Sequence, residues 1–473
     1  MESTSPTASS KGSYHIKTFG CQMNLHDSER MSALLAEQGY ASINEIEKAD
    51  VVIFNSCSIR DKSEQKAYSA MGLLKNGKKV NPKMKIGFTG CVAQQDGKAV
   101  FSGAPHLDFV IGTDSIDALP EVLFRVKNGE KKVLEVGFDP SQNYSLETKV
   151  LPDRALAQVN IMKGCDNFCS YCIVPFTRGR EKSRTIAEVV QDVKRLVLGG
   201  VVEVMLLGQN VNSYGKSLGG KAKGQSFPLL LRELQAMADR MEAEGITDPT
   251  GKSKKPPGLL RIRYTTSHPK DFSEEMIAAH AELSRVMPHL HLPVQSGSAK
   301  VLKRMKRYVP IKTYIERMAK LRELIPHITI TTDMIVGFPG EEESDFENTL
   351  ELLRVIRFDN IFAYTYSPRP GTAALKFGDP VTEAEKKSRL LRLQHLQNQI
   401  QAETNQTYKG SVQEVLVEGP SKTNPEILTG RTPGYKIVNF AVPSKIPARD
   451  LVGKQVRVII NQVTTFSLRG EMQ

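Results

Sequence analysis

The chain has 473 residues, enough for about three domains of ordinary size. Lys and Arg number 64 against 52 Asp and Glu, a formal charge of +12, with 40% hydrophobic and 25% charged residues. That balance belongs to a folded globular chain and excludes wholesale disorder. No apolar run approaches the ~18 residues of a bilayer span, so no integral membrane protein is expected.

The first residues, MESTSPTASSKGS, are rich in Ser and Thr and lack an apolar stretch, and the first Arg is Arg30. They read as neither a secretory nor a mitochondrial leader. Residues 1–13 are expected to be disordered and the protein cytoplasmic. The excess of positive charge fits a polyanionic partner such as nucleic acid, or a solvated basic surface. Charge alone leaves both open, and a local run such as 252–255 reads as solvated loop.

From residue 14 to about 130 the chain alternates strand-like and helix-like segments. Strands are predicted at 15–19, 51–54 and 84–88, with helices at 28–38 and 64–74. In the first helix Met31, Leu34 and Leu35 recur on a 3.6-residue period. Strand–helix–strand order predicts a parallel sheet, whose strand ends share one edge. Each strand runs into a cysteine: Gly20-Cys21, Asn55-Ser56-Cys57 and Thr89-Gly90-Cys91. Three thiols carried to one edge can converge, although three buried core cysteines would also suit such a sheet. A connecting stretch follows at 127–153, with a turn at 139–144.

The second cysteine trio is local: Cys165, Cys169 and Cys172, in C-x3-C-x2-C spacing. All six cysteines lie in the first 172 residues. In a cytosolic chain structural disulfides are rare, so metal binding or catalysis is the better default. Zinc wants four N or S ligands, or three and an open position, and no His lies in this loop. A 4Fe–4S cube held by three Cys leaves one iron for an outside ligand.

Strands and helices then alternate again. Strands are predicted at 158–162, 203–207, 260–264, 290–294, 328–335 and 361–366. Helices are predicted at 185–198, 229–241, 273–286, 311–324 and 342–356. Six such units predict a partial (β/α)6 barrel. The inserts 215–225 and 245–258 are rich in Gly, Lys and Pro and read as surface loops. A long helix at 382–406 carries the stripe Leu390, Leu393, Leu396 and Ile400, a packing face. Five short strands follow, at 412–417, 427–432, 435–440, 455–460 and 464–468. They predict a small OB-like β-barrel, either a nucleic-acid-binding module or a structural cap.

C-x3-C-x2-C with Tyr171 before its last Cys resembles the signature of the radical S-adenosylmethionine (SAM) enzymes. Nearly the whole chain resembles their methylthiotransferase branch: a three-Cys N-terminal domain at 14–130, a radical SAM core at 151–400 and a TRAM domain at 404–470. The strings Gly20-Cys21-Gln22-Met23-Asn24 and Val174-Pro175-Phe176-Thr177-Arg178-Gly179-Arg180-Glu181 are similar to the MiaB subfamily. Ser56 stands where that family more often has Thr and keeps the hydroxyl.

The resemblance implies methylthiolation of carbon 2 of an isopentenylated adenosine-37 in tRNA, with two SAM and two 4Fe–4S clusters. One SAM would methylate a sulfur held at the Cys21, Cys57 and Cys91 cluster. The other would yield a radical at the Cys165, Cys169 and Cys172 cluster. Breaking an unactivated aromatic C–H bond is work for a cofactor rather than a side chain. The resemblance also implies a SAM site at Tyr171, at Gln209 and Asn210, at Gln295 and Ser296, and at Val336. Arg178 and Arg180 would contact SAM carboxylate or tRNA phosphate, or be plain salt bridges. His268, His289 and His291 read as ordinary strand-end residues. An anticodon stem-loop offers the splayed bases such chemistry needs, and an electron donor and a sulfur and cluster supply are implied. The rivals are a methylthiotransferase acting on a ribosomal-protein aspartate and a non-enzymatic Fe–S or zinc RNA-binding protein.

Overall fold

The computed structural model describes residues 11–58, 61–138, 155–248, 255–422, 424–442 and 446–473. The predicted turn at 139–144, most of the connecting stretch and residues 249–254 of the second insert lie outside them. The chain divides into two compact units: Met1–Lys149 with Lys163–Asp166 and Ile173–Glu181, and Val150–Met162 with Asn167–Cys172 and Lys182–Gln473. The described residues contain no helix long and apolar enough to cross a membrane.

The first unit is built on a parallel sheet of β1 (Gly12–Phe19), β2 (Tyr40–Ser42), β3 (Val51–Ser56), β4 (Lys85–Gly90), β5 (Phe109–Ile111) and β6 (Val133–Glu135), in the order β2-β1-β3-β4-β5-β6. Its central strand explains the continuous apolar run at 51–54. Val51 and Ile53 face one core with Leu35 and Leu119, while Val52 and Phe54 face another with Met71 and Val92. A strand covered on both faces shows no alternation. The start of the chain differs from expectation, because Gly12 and Ser13 already belong to β1. Asp50 holds them there, accepting from the Ser13 N–H at 2.7 Å and the Ser13 hydroxyl at 3.0 Å.

The second unit begins with six parallel strands: β7 (Leu156–Asn160), β8 (Glu203–Leu207), β9 (Arg261–Tyr264), β10 (His289–His291), β11 (Thr329–Val336) and β12 (Asn360–Thr365). They form two ladders, β9-β8-β7 and β10-β11-β12. The ladders meet where the Ile262 N–H donates to the Arg285 carbonyl at 2.7 Å and the Met287 N–H to the Ile262 carbonyl at 3.0 Å. This explains why the helix predicted at 273–286 stops at Glu282: residues 285–287 are extended to bridge the ladders. The result is an open six-stranded α/β half-barrel. Several of its helices begin at side-chain caps, among them the Thr185–Glu188 capping box and the Ser226, Ser273 and Thr382 hydroxyls. Leu393 and Ile400 of the long helix Glu383–Gln406 are buried in the barrel's core, as their stripe predicts.

The C-terminal part is a closed barrel of β13 (Val412–Pro420), β14 (Leu428–Arg431), β15 (Ile437–Ala441), β16 (Gln455–Val463) and β17 (Leu468–Met472), ordered β13-β14-β15-β17-β16. The fifth strand starts at Leu468 rather than at 464. Residues 464–467 form a turn instead, closed by the Thr464 N–H donating to the Ser467 carbonyl at 2.9 Å.

The turn between β14 and β15 plugs the amino ends of the half-barrel strands. Arg263 donates to the carbonyls of Pro433 at 2.7 Å and Thr432 at 2.9 Å, and Arg261 to that of Arg431 at 2.8 Å. Two carboxylates balance the pair: Glu203, 3.0 Å from Arg263, and Glu414, 3.1 Å from Arg261. The Tyr435 ring lies 4.7 Å from the Arg263 guanidinium and 4.9 Å from the His289 ring. Lys436 closes the contact on Asp359 at 2.9 Å.

Candidate functional site

Cys21, Cys57 and Cys91 sit just beyond the carboxyl ends of β1, β3 and β4, three neighbouring parallel strands. Their thiols do converge: the Cys57 thiol hydrogen-bonds with both Cys21 and Cys91. Two glycines make this approach possible. A Cβ on Gly20 would lie 2.3 Å from the Cys57 Cβ, and one on Gly90 would lie 2.4 Å from the Ser56 carbonyl oxygen. Gly90 also has φ +94°, which side-chain-bearing residues rarely adopt.

Two asparagines from the cysteine strings brace the strand ends. Asn24 donates to the Asn55 side-chain oxygen at 2.8 Å, and Asn55 returns a bond to the Asn24 carbonyl at 2.8 Å. The Cys21 thiol donates to Asn24 at 3.3 Å. This pairing gives a physical reason for an Asn three residues after Cys21 and another two residues before Cys57.

Arg178 stands beside the same thiols. It is buried, pairs with Asp27 at 2.7 Å and hydrogen-bonds to Cys91. The Cys57 hydrogen bond and then the Arg178 charge bring the Cys21 thiol down to about 7 and, with burial opposing, the Cys91 thiol down to about 6. Hydrogen bonds to both neighbours, reinforced by burial, push Cys57 up. Behind Arg178 lies a second buried pair, Lys163 with Asp114, whose Lys163 amino group also donates to the Thr113 carbonyl at 3.0 Å. The Thr113 hydroxyl donates to the Thr177 carbonyl at 2.5 Å. Arg180 differs sharply: its side chain is 73% exposed and forks onto Asp166 at 2.6 and 3.2 Å.

The Cys165 N–H donates to the Gly179 carbonyl at 3.2 Å, and Gly164 is held so close to the Arg180 carbonyl that a Cβ would lie 2.1 Å from it. The Cys172 N–H donates to the Cys169 carbonyl at 2.9 Å. Around Cys169 stand two side chains that sequence reasoning did not select. The Arg307 guanidinium lies 3.6 Å from its sulfur and 3.4 Å from the Tyr171 hydroxyl, and His268 Nε2 lies 3.9 Å from the sulfur. Burial first, and the Arg307 charge second, bring the His268 imidazole down to about 3. His268 is thus no ordinary strand-end residue. His289, by contrast, packs in the plug under Tyr435, and His291 lies 3.6 Å from Asp333.

The remaining predicted positions lie at the carboxyl ends of half-barrel strands. Asn210, after β8, accepts the His268 N–H at 3.0 Å and donates to Asp271 at 2.7 Å, so its amide is spent within the fold; Gln209 is its half-buried neighbour. Gln295 has φ +79° and bridges to β11, its carbonyl accepting the Ile335 N–H at 2.9 Å. The Ser296 hydroxyl accepts the Ser298 N–H at 3.1 Å. Val336 is fully buried at the end of β11, and its carbonyl accepts the Tyr366 N–H at 2.8 Å. Tyr171 meets Phe338 edge to face at 6.5 Å.

The donor chemistry fits iron–sulfur clusters: thiols alone, in two sets of three. Among the described residues no three His, Cys, Asp or Glu side chains close on one metal-ion position. Thiolates of a four-iron cube bind different irons, so they need not close on one point.

Comparison with known proteins agrees with this. Residues 159–353 match the radical SAM superfamily, 406–472 the TRAM domain, and 13–112 the family described as uncharacterized protein family UPF0004. The tRNA-2-methylthio-N(6)-dimethylallyladenosine synthase of Acetivibrio thermocellus is 44% identical over 467 residues, covering 97% of this chain and 90% of that protein. The protein of the same name from Syntrophus aciditrophicus is 43% identical over 460 residues, covering 97% and 94%. Among solved structures, the radical SAM methyltransferase TsrM from Kitasatospora setae superposes with a TM-score of 0.51 over 75% of this chain and 73% of that one. At 13% identity that likeness is one of fold. A radical SAM core implies SAM and a 4Fe–4S cluster. With three matched domains and relatives above 40% identity along nearly its full length, the chain belongs to the tRNA-2-methylthio-N(6)-dimethylallyladenosine synthase family of radical SAM enzymes.

Proposed function

We propose that the protein places a methylthio group on carbon 2 of isopentenylated adenosine-37 in tRNA, using two SAM and two 4Fe–4S clusters. The observation that carries this is the convergence of Cys21, Cys57 and Cys91 at one sheet edge, separate in sequence from the C-x3-C-x2-C loop. A second cluster there would carry the sulfur to be transferred. The cluster at Cys165, Cys169 and Cys172, with SAM, supplies the radical chemistry that opens an unactivated aromatic C–H bond.

The chain's own residues support that work. Arg178 sets a positive charge beside Cys21 and Cys91, where anionic thiolates would otherwise repel. Tyr171 places an aromatic face beside the second trio, where the SAM adenine belongs. The ends of β8, β10 and β11, with Gln209, Asn210, Gln295, Ser296 and Val336, frame the rest of that site. Arg180, exposed, is suited to tRNA phosphate. The C-terminal barrel is the natural grip on an anticodon stem-loop. The setting is the cytoplasm, with a reductant as electron donor and a sulfur and cluster supply.

Two measurements test this. Anaerobic analysis is expected to give about eight irons per chain with matching sulfide, falling to about four in either Cys57→Ala or Cys169→Ala. Mass spectrometry of tRNA from a strain lacking the protein is expected to lose the 2-methylthio mark, restored by the wild-type gene. Zinc without sulfide would point instead to a non-enzymatic RNA-binding protein. Modification of a ribosomal-protein aspartate by the purified protein would point to the sister activity.

A further inference from the structure

Cys169 has cationic and imidazole neighbours at its sulfur. Two nitrogen donors from distant parts of the second unit approach it: His268 Nε2 at 3.9 Å and Arg307 Nη1 at 3.6 Å. Whether the imidazole donates or accepts depends on its proton, and the structure settles this. His268 Nδ1 accepts the Lys270 backbone N–H at 3.1 Å, so the ring proton resides on Nε2 and points at the sulfur.

The backbone that carries the imidazole is also held. The Asn210 side-chain oxygen accepts the His268 N–H at 3.0 Å, and its amide donates to Asp271 at 2.7 Å. Asp271 is in turn paired with Lys216 at 2.5 Å. The turn 268–271 is therefore fastened to the end of β8, which fixes the His268 backbone, while the Lys270 N–H on Nδ1 sets the orientation of the ring.

Arg307 carries a separate argument. It is only 6% exposed, and among the described residues its hydrogen-bond partners are Cys169, Tyr171 and the Pro293 carbonyl, with no carboxylate in ion-pair contact. Its other nitrogen donates to the Pro293 carbonyl. A buried guanidinium without a counter-ion is costly. The groups that face it are the Cys169 sulfur at 3.6 Å and the Tyr171 hydroxyl at 3.4 Å, with the Cys172 sulfur also close enough to favour its charge. The counter-charge that this cation lacks is thus provided when the trio binds a cluster as thiolates.

We propose that His268 and Arg307 set the reduction potential of the SAM-binding cluster through N–H···S bonds to Cys169, with Asn210 as the positioning residue for His268. Donors to a ligating sulfur stabilise the reduced, more negative cluster, and so raise its potential. A cluster must accept one electron before SAM can be cleaved, so these donors ease that electron's arrival. The inference rests on the reading that the 165–172 loop holds a 4Fe–4S cluster.

The test is an EPR-monitored redox titration of the full-length, anaerobically reconstituted protein, following the signal that added SAM perturbs. His268→Phe and Arg307→Met are each expected to lower that midpoint by a tenfold change in the reduced-to-oxidised ratio at fixed potential, about 59 mV for one electron. Asn210→Ala is expected to move it the same way by less, and Arg307→Lys to restore part of the loss. The SAM-insensitive signal keeps its midpoint throughout. An unchanged midpoint in both His268→Phe and Arg307→Met, or equal movement of both signals, would overturn the inference. Should those variants lose iron, wild-type protein with 15N-labelled histidine decides: the SAM-perturbed signal must show coupling to a histidine nitrogen, and its absence overturns the proposal. Wild-type protein that binds no iron at all would defeat the underlying cluster reading instead.

Discussion

Arg178 and Asp27, 151 residues apart in the chain, form a buried ion pair at 2.7 Å alongside the sulfurs of Cys21 and Cys91. Both side chains are under 10% exposed, so each depends on the other for its counter-charge. Removing one partner from such a pair costs about 3–5 kcal/mol, because the survivor is left charged and buried. Arg178→Met is therefore expected to lower the denaturation midpoint of the protein strongly and to reduce iron loading at the Cys21, Cys57 and Cys91 trio. The double variant Asp27→Asn with Arg178→Met is expected to regain much of the stability but not the iron. A denaturant titration with iron analysis on all three proteins checks this. Equal stability loss in single and double variants would remove the pair from the account.

His280 makes stability depend on pH. Its Nδ1 lies 2.7 Å from the Tyr264 hydroxyl and its Nε2 lies 3.0 Å from the Met287 carbonyl, so the Nε2–H donates to the carbonyl and the hydroxyl donates to Nδ1. Burial, only partly opposed by the Met287 bond, brings the imidazole down to about 4. The folded state therefore resists a proton that the unfolded chain accepts near 6.5. The stabilisation is complete above about pH 6.5 and is lost as pH falls toward 4. Between pH 7.5 and 5.5 this one group is expected to remove about 1 kcal/mol. His280→Gln cannot titrate, so its denaturation midpoint should fall by that much less over the same interval. Parallel pH profiles for the two proteins would rule the assignment out.

Much of the fold is legible from local pattern, because local pattern determines those parts. The fully buried β3 shows as an unbroken apolar run, and each cysteine of the first trio ends a strand. The capped helices of the half-barrel begin at Thr185, Ser226, Ser273 and Thr382, where short hydroxyl side chains accept from the first turn. β2, β5 and β6 are three residues each, too short to display a period of two. The site divides in the same way. The thiols are readable because their chemistry is rare and their spacing regular. Arg307 and His268 are 138 and 99 residues from Cys169, and no spacing along the chain links them to it. Arg178 stands in a recognised string, yet its partner Asp27 belongs to a helix 151 residues earlier. Its place at the first trio becomes visible only when the sheet is assembled.

The plug between the half-barrel and the C-terminal barrel predicts a mechanical coupling. Arg261 and Arg263 are fully buried, and the turn 431–436 satisfies them through three backbone carbonyls rather than through side chains. Glu203→Gln keeps the shape but leaves the buried Arg263 without its carboxylate, while Arg261 keeps Glu414 at 3.1 Å. It is expected to destabilise the protein by about 3 kcal/mol and to speed hydrogen exchange across 431–436 and β9 together. Tyr435→Ala, which removes the ring between Arg263 and Arg431, is expected to loosen the same two segments. Exchange confined to the C-terminal barrel in both variants would show that the plug does not tie it to the half-barrel.

Gly90 offers the sharpest separation of the two trios. Its φ is +94°, and a Cβ added there would lie 2.4 Å from both Asn55 Oδ1 and the Ser56 carbonyl oxygen, so a side chain has no room. Those obstacles belong to β3 and are held in place by the Asn24–Asn55 pair, so neither can retreat at small cost. Gly90→Ala is expected to cost at least about 2 kcal/mol and to pull Cys91 away from Cys57. Iron should then fall from about eight to about four per chain, while the EPR signal that SAM perturbs survives. Gly72→Ala is the control: that glycine lies in the helix Asp61–Leu73 with nothing within 4 Å of a new Cβ, and the change is expected to stabilise by up to about 1 kcal/mol without touching the iron. Full iron in Gly90→Ala would mean that the first trio does not need the close approach of β3 and β4. Loss of the SAM-perturbed signal as well would mean that the two trios do not assemble independently.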